Sequence, residues 1–255
     1  MDVDAYLARI GVARPAKLDA EALRTLQEAH LLRVPFENLS VHLPEPIDLD
    51  PAALVGKIVR RGRGGFCFEL NGAFALLLRE LGFEVTLHAV RVFGDEGRLG
   101  PPYDHLALRV ELDEPWLADV GFGRFCRYPL RLDFRGVQAD PEGEFEVREA
   151  PFGELDVLHN GRPANRIEPR PRELAEFVPM AWWHSTSPKS HFTKSLTCSR
   201  PTPAGRVTLS GDKLIETVDG VREERTLTGD AEILDAYRTS FGIELDQVPR
   251  VRTFS

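Results

Sequence analysis

The stretch Arg61-Gly-Arg-Gly-Gly-Phe-Cys-Phe-Glu-Leu-Asn71 places a cysteine where a glycine-rich turn enters a predicted helix. Apolar residues recur at helical spacing as far as Leu81, and Gly82 is suited to end the helix in a left-handed conformation. Unpaired N–H groups at a helix start favour an anion, so a thiol there should lose its proton more readily than one in an apolar core. Cys67 is therefore a candidate nucleophile, and Arg61 and Arg63 are expected to add positive potential.

After this helix the spacing of hydrophobic residues changes from a helical period to a period of two. Upstream, the stripes that follow Asp19 and the pair Asp50-Pro51 predict helices, because aspartate caps a helix start and proline suits its first turn. A hairpin signal at Asp219-Gly220 predicts antiparallel sheet, and residues 231–240 predict a final helix. A period of two predicts strands over residues 84–92, 105–112 and 116–122. The pattern indicates an α+β protein with a helical N-terminal part, a β-rich middle and a mixed C-terminal part.

Composition argues against several classes of protein. The net charge is −8, and lysines and arginines form no long run, so no nucleic-acid partner is expected. No apolar segment is long enough to span a bilayer, and no basic region precedes an apolar run at the N-terminus, so we expect a cytoplasmic protein without a membrane partner. Three separated cysteines argue against disulfides and paired zinc ligands, and no metal is expected; Cys126 and Cys198 are interpreted as structural thiols.

A thiol nucleophile needs a base within hydrogen-bond reach, and the base needs a third group that fixes its tautomer. His105 is the candidate base, because it opens a predicted strand directly after the loop of residues 94–103. His88, inside a predicted strand, is its rival. A surface or hydrogen-bonded core histidine is the ordinary alternative for either residue.

Asp119 is the candidate orienting group. It lies in the otherwise apolar run Trp116-Leu-Ala-Asp-Val-Gly-Phe122, where an ionised carboxylate is costly unless it is paired. A turn over residues 112–115 could bring it beside His105, although the sequence does not set the register. The alternative is a carboxylate that bonds only backbone amides at a bulge near Gly121.

Five segments resemble the arylamine N-acetyltransferase family, in the family's order. The resemblance implies an N-terminal helical bundle (residues 1–83), a central antiparallel β-barrel (84–190) and a C-terminal α/β lid (191–255), with a cysteine-protease-like catalytic core. The matching segments are Leu31-Leu-Arg-Val-Pro-Phe-Glu-Asn-Leu39, Arg63-Gly-Gly-Phe-Cys-Phe-Glu-Leu-Asn71, His105, Trp116-Leu-Ala-Asp-Val-Gly-Phe-Gly123 and Ser187-Pro-Lys-Ser-His-Phe192.

The same resemblance implies a ping-pong acetyl transfer. The Cys67 thiolate would take the acetyl group from acetyl-CoA as a co-substrate, and an arylamine, arylhydrazine or hydrazide would then accept it, with His105 and Asp119 completing the triad. No tightly bound cofactor is implied. An oxyanion site would use the Cys67 N–H and one N–H from residues 103–105.

Pocket residues follow by matching to the family. CoA contacts are expected from Phe122, Gly123, Tyr103 and Asp104, and acceptor contacts from Phe36, Phe122, His191 and Phe192. Two features depart from the family pattern. Asp104 adds a carboxylate beside His105 and could compete with Asp119 for it, and the chain ends soon after Ile243, so altered C-terminal CoA contacts are expected.

Three other functions use the same residues. An amide synthase of the same superfamily would close a polyketide chain by attack of an aromatic amine, in a wider cleft. A thiol hydrolase would pass the acyl group to water. In a non-enzymatic binding module, the cysteine, histidine and aspartate would be structural.

Overall fold

The computed structural model describes residues 1–94 and 96–252. Helices dominate the chain before residue 83, and aspartates begin three of them: Asp2, Asp19 and Asp50 accept the N–H groups of Ala5, Ala22 and Ala52. A π-helical turn over Gly56–Arg60 continues the fourth helix. The helices are α1 (Val3–Ile10), α2 (Ala20–Arg33), α3 (Leu39–His42), α4 (Pro51–Val55) and α5 (Cys67–Leu81).

Helix α5 forms the centre of the largest apolar core. Leu70, Phe74, Leu77 and Leu78 are fully buried in it, as the helical spacing predicted. The helix ends at Gly82, whose φ of 106° is the left-handed conformation that glycine tolerates best. Cys67 is thus the first residue of a helix in which most side chains are buried.

An antiparallel sheet of eight strands follows in the chain. Its spatial order is β5-β4-β3-β2-β9-β8-β7-β6. At its two edges, the Gln138 side chain accepts the N–H of Arg131 at 2.8 Å and donates to the carbonyl of Arg131 at 3.1 Å, so one amide joins β5 to β6 and nearly closes a barrel. The strands are β2 (Glu84–Val92), β3 (His105–Glu111), β4 (Pro115–Ala118), β5 (Leu130–Arg131), β6 (Gln138–Asp140), β7 (Gly143–Glu149), β8 (Leu155–His159) and β9 (Arg162–Arg172).

The rest of the chain forms a second, five-stranded sheet. Its first strand, β1 (Phe36–Glu37), comes from between α2 and α3 and pairs with β10, so Phe36 lies opposite Ser199. The predicted hairpin at Asp219-Gly220 is present, with both residues at positive φ. The remaining elements are α6 (Val178–Thr186), β10 (Cys198–Thr202), β11 (Gly205–Ser210), β12 (Lys213–Val218), β13 (Val221–Thr226) and α7 (Asp230–Phe241).

The predicted α+β class, with helices, a barrel-like sheet and a C-terminal α/β part, is confirmed. The division into domains at residues 83 and 190 stays a prediction. Among the described residues, no helix is long and apolar enough to cross a membrane.

Candidate active site

Cys67 begins α5 and lines a pocket, although its side chain is only 3% exposed. The glycines before it allow the chain to pass close to its neighbours. A Cβ on Gly64 would lie 1.8 Å from the carbonyl oxygen of Pro35, so no other residue fits there. The glycine-rich turn therefore sets the position at which the helix, and with it the sulfur, begins.

His105 and Asp119 are joined as the sequence predicted. The His105 Nε2–H donates to Asp119 Oδ2 at 2.7 Å, and both side chains are buried. A carboxylate only accepts, so this bond places the proton on Nε2 and leaves the lone pair on Nδ1. Within the described residues Nδ1 makes no hydrogen bond, and none joins His105 to the Cys67 thiol, although both line the same pocket.

Asn71 holds Asp119 from the opposite side. It stands four residues after Cys67 and therefore shares its face of α5. Its Nδ2 donates to Asp119 Oδ1 at 2.8 Å and to the Leu106 carbonyl at 2.6 Å, and its Oδ1 accepts the Val120 N–H at 2.9 Å. The sequence did not reveal this role, although the spacing from Cys67 was a usable signal.

Gln27 is a second positioning residue that the sequence did not reveal. From α2, its Oε1 accepts the Asp119 N–H at 3.1 Å, and its Nε2 donates to the Arg127 carbonyl at 3.3 Å. It is fully buried and lies 92 residues from Asp119 along the chain. No local pattern marks such a residue.

Gly121 is required because the Asp119 loop crosses the start of α5. The Gly121 N–H donates to Asp119 Oδ1 at 2.9 Å. A Cβ on this residue would lie 2.7 Å from Asn71 Nδ2 and 2.8 Å from the Cα of Cys67. Real side chains do not approach so closely, so this glycine lets the carboxylate loop reach the cysteine.

The pocket beside the thiol is small, with a volume of about 150 Å³. All four residues predicted to contact the acceptor line it, together with Asp104 from the predicted CoA set. The lining residues are Phe36, Cys67, Val92, Asp104, His105, Gly121, Phe122, His184, His191 and Phe192. No sequence pattern predicted that Val92 and His184 belong to the pocket.

Comparisons with known proteins show which family the chain belongs to. A family model described as N-acetyltransferase matches residues 19–250. The arylamine N-acetyltransferase of Escherichia coli (strain K12) is 35% identical over 248 residues, which cover 94% of this chain and 88% of that protein. This chain belongs to the arylamine N-acetyltransferase family.

Solved structures of arylamine N-acetyltransferases have the same fold. The M. smegmatis structure gives a TM-score of 0.87 at 34% identity, covering 96% of this chain and 93% of the other. The Mycobacterium marinum arylamine N-acetyltransferase in complex with CoA gives 0.86 at 30% identity, covering 95% and 93%.

Burial, nearby carboxylates and a helix-start N–H act in opposite directions on the pKa of the Cys67 thiol. Burial raises the pKa of Cys67 well above its ordinary value, and the charges of Asp104 and Asp119 raise it further, while the Phe68 N–H opposes them. The expectation that a thiol at the helix start loses its proton more readily than one in an apolar core stays a prediction. The two arginines expected to add positive potential each have a carboxylate partner: Arg63 Nη2 lies 2.8 Å from Glu37 Oε1, and Arg61 Nη1 lies 3.9 Å from Glu45 Oε2.

Asp104 does not compete for His105. Its Oδ1 lies 3.4 Å from Nε2 of His184, and its backbone carbonyl accepts from the same nitrogen at 3.1 Å. The predicted CoA contacts Tyr103 and Gly123 are not among the residues that line the thiol pocket. The Tyr103 hydroxyl donates to Glu176, and the Gly123 carbonyl accepts from Arg206.

The rival residues make ordinary structural contacts. His88 Nδ1 donates to the Glu168 carbonyl at 2.8 Å, and its Nε2 lies 2.9 Å from the Thr86 hydroxyl, so both ring nitrogens are occupied. Cys126 is buried in the apolar core of the barrel, and Cys198 is buried in the second sheet. Over residues 1–94 and 96–252, no group of three or more His, Cys, Asp or Glu side chains could hold a metal ion.

Proposed function

We propose that the protein transfers an acetyl group from acetyl-CoA to the nitrogen of an arylamine, arylhydrazine or hydrazide through an acetyl-Cys67 intermediate. The observation that carries this proposal is a buried His105–Asp119 pair and a helix-start cysteine that open on one small pocket. The CoA complex of the M. marinum relative supports the donor.

In the first half-reaction His105 accepts the thiol proton on Nδ1, and the Cys67 sulfur attacks the carbonyl carbon of the acetyl thioester. The bond from that carbon to the CoA sulfur then breaks, and His105 returns the proton to the leaving CoA. Because burial raises the pKa of Cys67, the thiolate is stable only beside the imidazolium, which Asp119 stabilises in turn.

In the second half-reaction the amine nitrogen attacks the acetyl carbon of acetyl-Cys67. His105 accepts a proton from that nitrogen, the bond from carbon to the Cys67 sulfur breaks, and the sulfur regains the proton. The backbone N–H of Cys67, with one from residues 103–105, is our candidate for holding the oxyanion in both steps.

The pocket volume favours a small acceptor over the chain of an amide synthase. A space of about 150 Å³ accommodates one aromatic ring with a short substituent, whereas intramolecular closure of a polyketide needs a wider cleft. The acceptor-side contacts that we propose are Phe36, Phe122, His191 and Phe192, and Phe122 is also our proposed contact with the donor, together with Gly123 and Tyr103.

The test is to incubate the protein with acetyl-CoA without an amine and measure its intact mass, followed by peptide mapping. We expect one acetyl group on Cys67, no label in Cys67→Ala, and normal labelling in the matched control Cys126→Ala. An arylamine or hydrazine should then discharge the label as an N-acetyl product. A folded protein without label would reject acetyl-CoA as donor, and discharge by water at the same rate without amine would favour a hydrolase.

A further inference from the structure

Asp104 is the one carboxylate-bearing residue among those that line the thiol pocket in the described chain. Its side chain is 17% exposed, and within residues 1–94 and 96–252 neither carboxylate oxygen accepts a hydrogen bond that meets ordinary geometry. Carboxylates in such partly enclosed places normally have donors that satisfy them. The pocket therefore presents a carboxylate whose oxygens can still accept hydrogen bonds from a molecule that enters.

His184 keeps this carboxylate at the pocket wall. Its Nε2–H donates to the Asp104 backbone carbonyl, which fixes the residue, and lies 3.4 Å from Oδ1. The ring itself is 2% exposed and packs edge-on against Phe66 and Phe192. Its Nδ1 is buried without a partner among the described residues, so the ring has no competing hydrogen bond to turn it away from Asp104.

The other charged groups near the thiol do not cancel Asp104. The His105 Nε2–H already donates to Asp119 Oδ2, at 2.7 Å. The nearby cations Lys57 and Arg63 are paired with Glu69 and Glu37 and do not line the pocket. The influence of Asp104 does reach the reacting atoms, because it is one of the charges that raise the pKa of the Cys67 thiol.

We propose that Asp104, positioned by His184, selects acceptors by charge: it favours amines that carry a cationic or N–H-rich group and disfavours arylamines that carry a carboxylate. This inference rests on the proposed function and specifies the acceptor class of the same site. A fixed charge in a small pocket acts on an entering charge with little water between them, so attraction and repulsion exceed their values on an open surface.

The test compares three acceptors of similar size: 4-aminobenzoate, 4-aminobenzamide and 4-aminobenzamidine, which are anionic, neutral and cationic. For each, kcat/KM is measured with saturating acetyl-CoA by CoA release. In Asp104→Asn, the ratio of kcat/KM for the anion to that for the cation should rise by about tenfold or more. All three amines attack the same acetyl-enzyme, so any change in the thiol itself cancels in this ratio.

Asp113→Asn is the matched control, because it makes the same charge change at an exposed turn outside the pocket, and its ratio should stay at the parent value. His184→Phe keeps an aromatic ring among Phe66 and Phe192 but removes the donor, and its ratio should lie between those of the parent and Asp104→Asn. A ratio unchanged within twofold in Asp104→Asn would overturn the charge selection, and an unchanged ratio in His184→Phe would overturn the positioning role.

Acetylation of Cys67 by acetyl-CoA, measured without an amine, separates this inference from the proposed function. Normal acetylation and transfer with an unchanged ratio reject only the role of Asp104. If acetyl-CoA does not acetylate Cys67 in the parent protein, the proposed acetyl transfer itself is rejected.

Discussion

Two buried polar clusters lie on either side of the segment from Arg63 to Asn71, and they differ in how their charges are balanced. The ionic cluster consists of Glu37, Lys57, Arg63 and Glu69. The cluster that we propose to be catalytic, called the catalytic cluster below, consists of Cys67, Asn71, His105 and Asp119. In the ionic cluster each cation meets a carboxylate, with Lys57 2.7 Å from Glu69 and Arg63 2.8 Å from Glu37.

In the catalytic cluster, one hydrogen-bonding atom beside the pocket has no partner. Asp119 is saturated by His105, Asn71 and Gly121, but the far nitrogen of His105 has no partner in the described chain. A buried charge without a partner is costly, so the charges of the ionic cluster stay paired, and their role is to hold the backbone. The unpartnered imidazole nitrogen of His105, in contrast, can accept a proton. The same short segment thus supports a rigid cluster and a reactive one.

The largest expected effect is on the rate at which Cys67 is acetylated. In Asp119→Asn the side chain keeps its size but loses the charge that stabilises the imidazolium, so the rate of Cys67 acetylation should fall by about 10³- to 10⁴-fold. Rapid-quench mass spectrometry measures this rate, and circular dichroism checks the fold. Asp133→Asn, at an exposed carboxylate paired with Arg131, is the control. A fall of less than tenfold would remove Asp119 from the catalytic cluster.

A change in the ionic cluster should affect stability instead. Glu37→Gln leaves the buried Arg63 and Lys57 with too little negative charge, and the free energy of unfolding should fall by about 3 kcal/mol. Urea denaturation measures it, with Glu96→Gln as the exposed control that should change little. The folded fraction should keep its acetylation rate within about twofold; a hundredfold loss would show that the two clusters are not separable.

Asn71 tests how far positioning matters within the catalytic cluster. Asn71→Ala removes one donor to Asp119 and one to the Leu106 carbonyl, so kcat should fall by about 10- to 100-fold while KM for acetyl-CoA stays near the parent value. Gln27→Ala, which removes the acceptor of the Asp119 N–H and a donor to the Arg127 carbonyl but no bond to the Asp119 carboxylate, should cost less than tenfold. A rise in KM without a fall in kcat would contradict the positioning role.

The smallest effect concerns acid stability. Burial alone would raise the pKa of Glu37, but Lys57 and Arg63 outweigh it and hold the pKa below its ordinary value of 4.5. As pH falls below 4.5 the unfolded chain therefore binds the proton first, and the stabilisation is lost as pH falls through the lower folded pKa. The stability gap between the parent and Glu37→Gln should narrow over that window in urea titrations. A gap that stays constant or widens would contradict the ion pairing.

The sequence revealed the features whose signals are local. Helical spacing and Gly82 defined α5, and Asp219-Gly220 defined a hairpin, because neighbouring residues decide these conformations. The burial cost of a lone carboxylate predicted that Asp119 has a partner, and the His105 imidazole donates a hydrogen bond to it.

Features that depend on distant contacts were missed or predicted wrongly. The strand expected over residues 116–122 ends at Ala118, because Asp119 and Gly121 bond to each other and to the catalytic cluster instead of a neighbouring strand. The strand β10 begins only at Cys198, since Ser190, through a contact with the Phe192 N–H, caps a short helical turn at His191–Thr193. The sequence showed the charge of Arg63 but could not show that Glu37 neutralises it.

The pairing of β1 with β10 has a consequence for the order in which the protein is made. Phe36 belongs to the wall of the pocket, yet its strand partner is Ser199, and the neighbouring Asn38 donates to the Ser195 carbonyl across 157 residues. At about 5–20 residues per second, the ribosome completes that stretch on the order of ten seconds after Asn38. Until then the nascent chain carries Cys67 without its finished enclosure, so the thiol is most open to oxidation or alkylation while the protein is being synthesised.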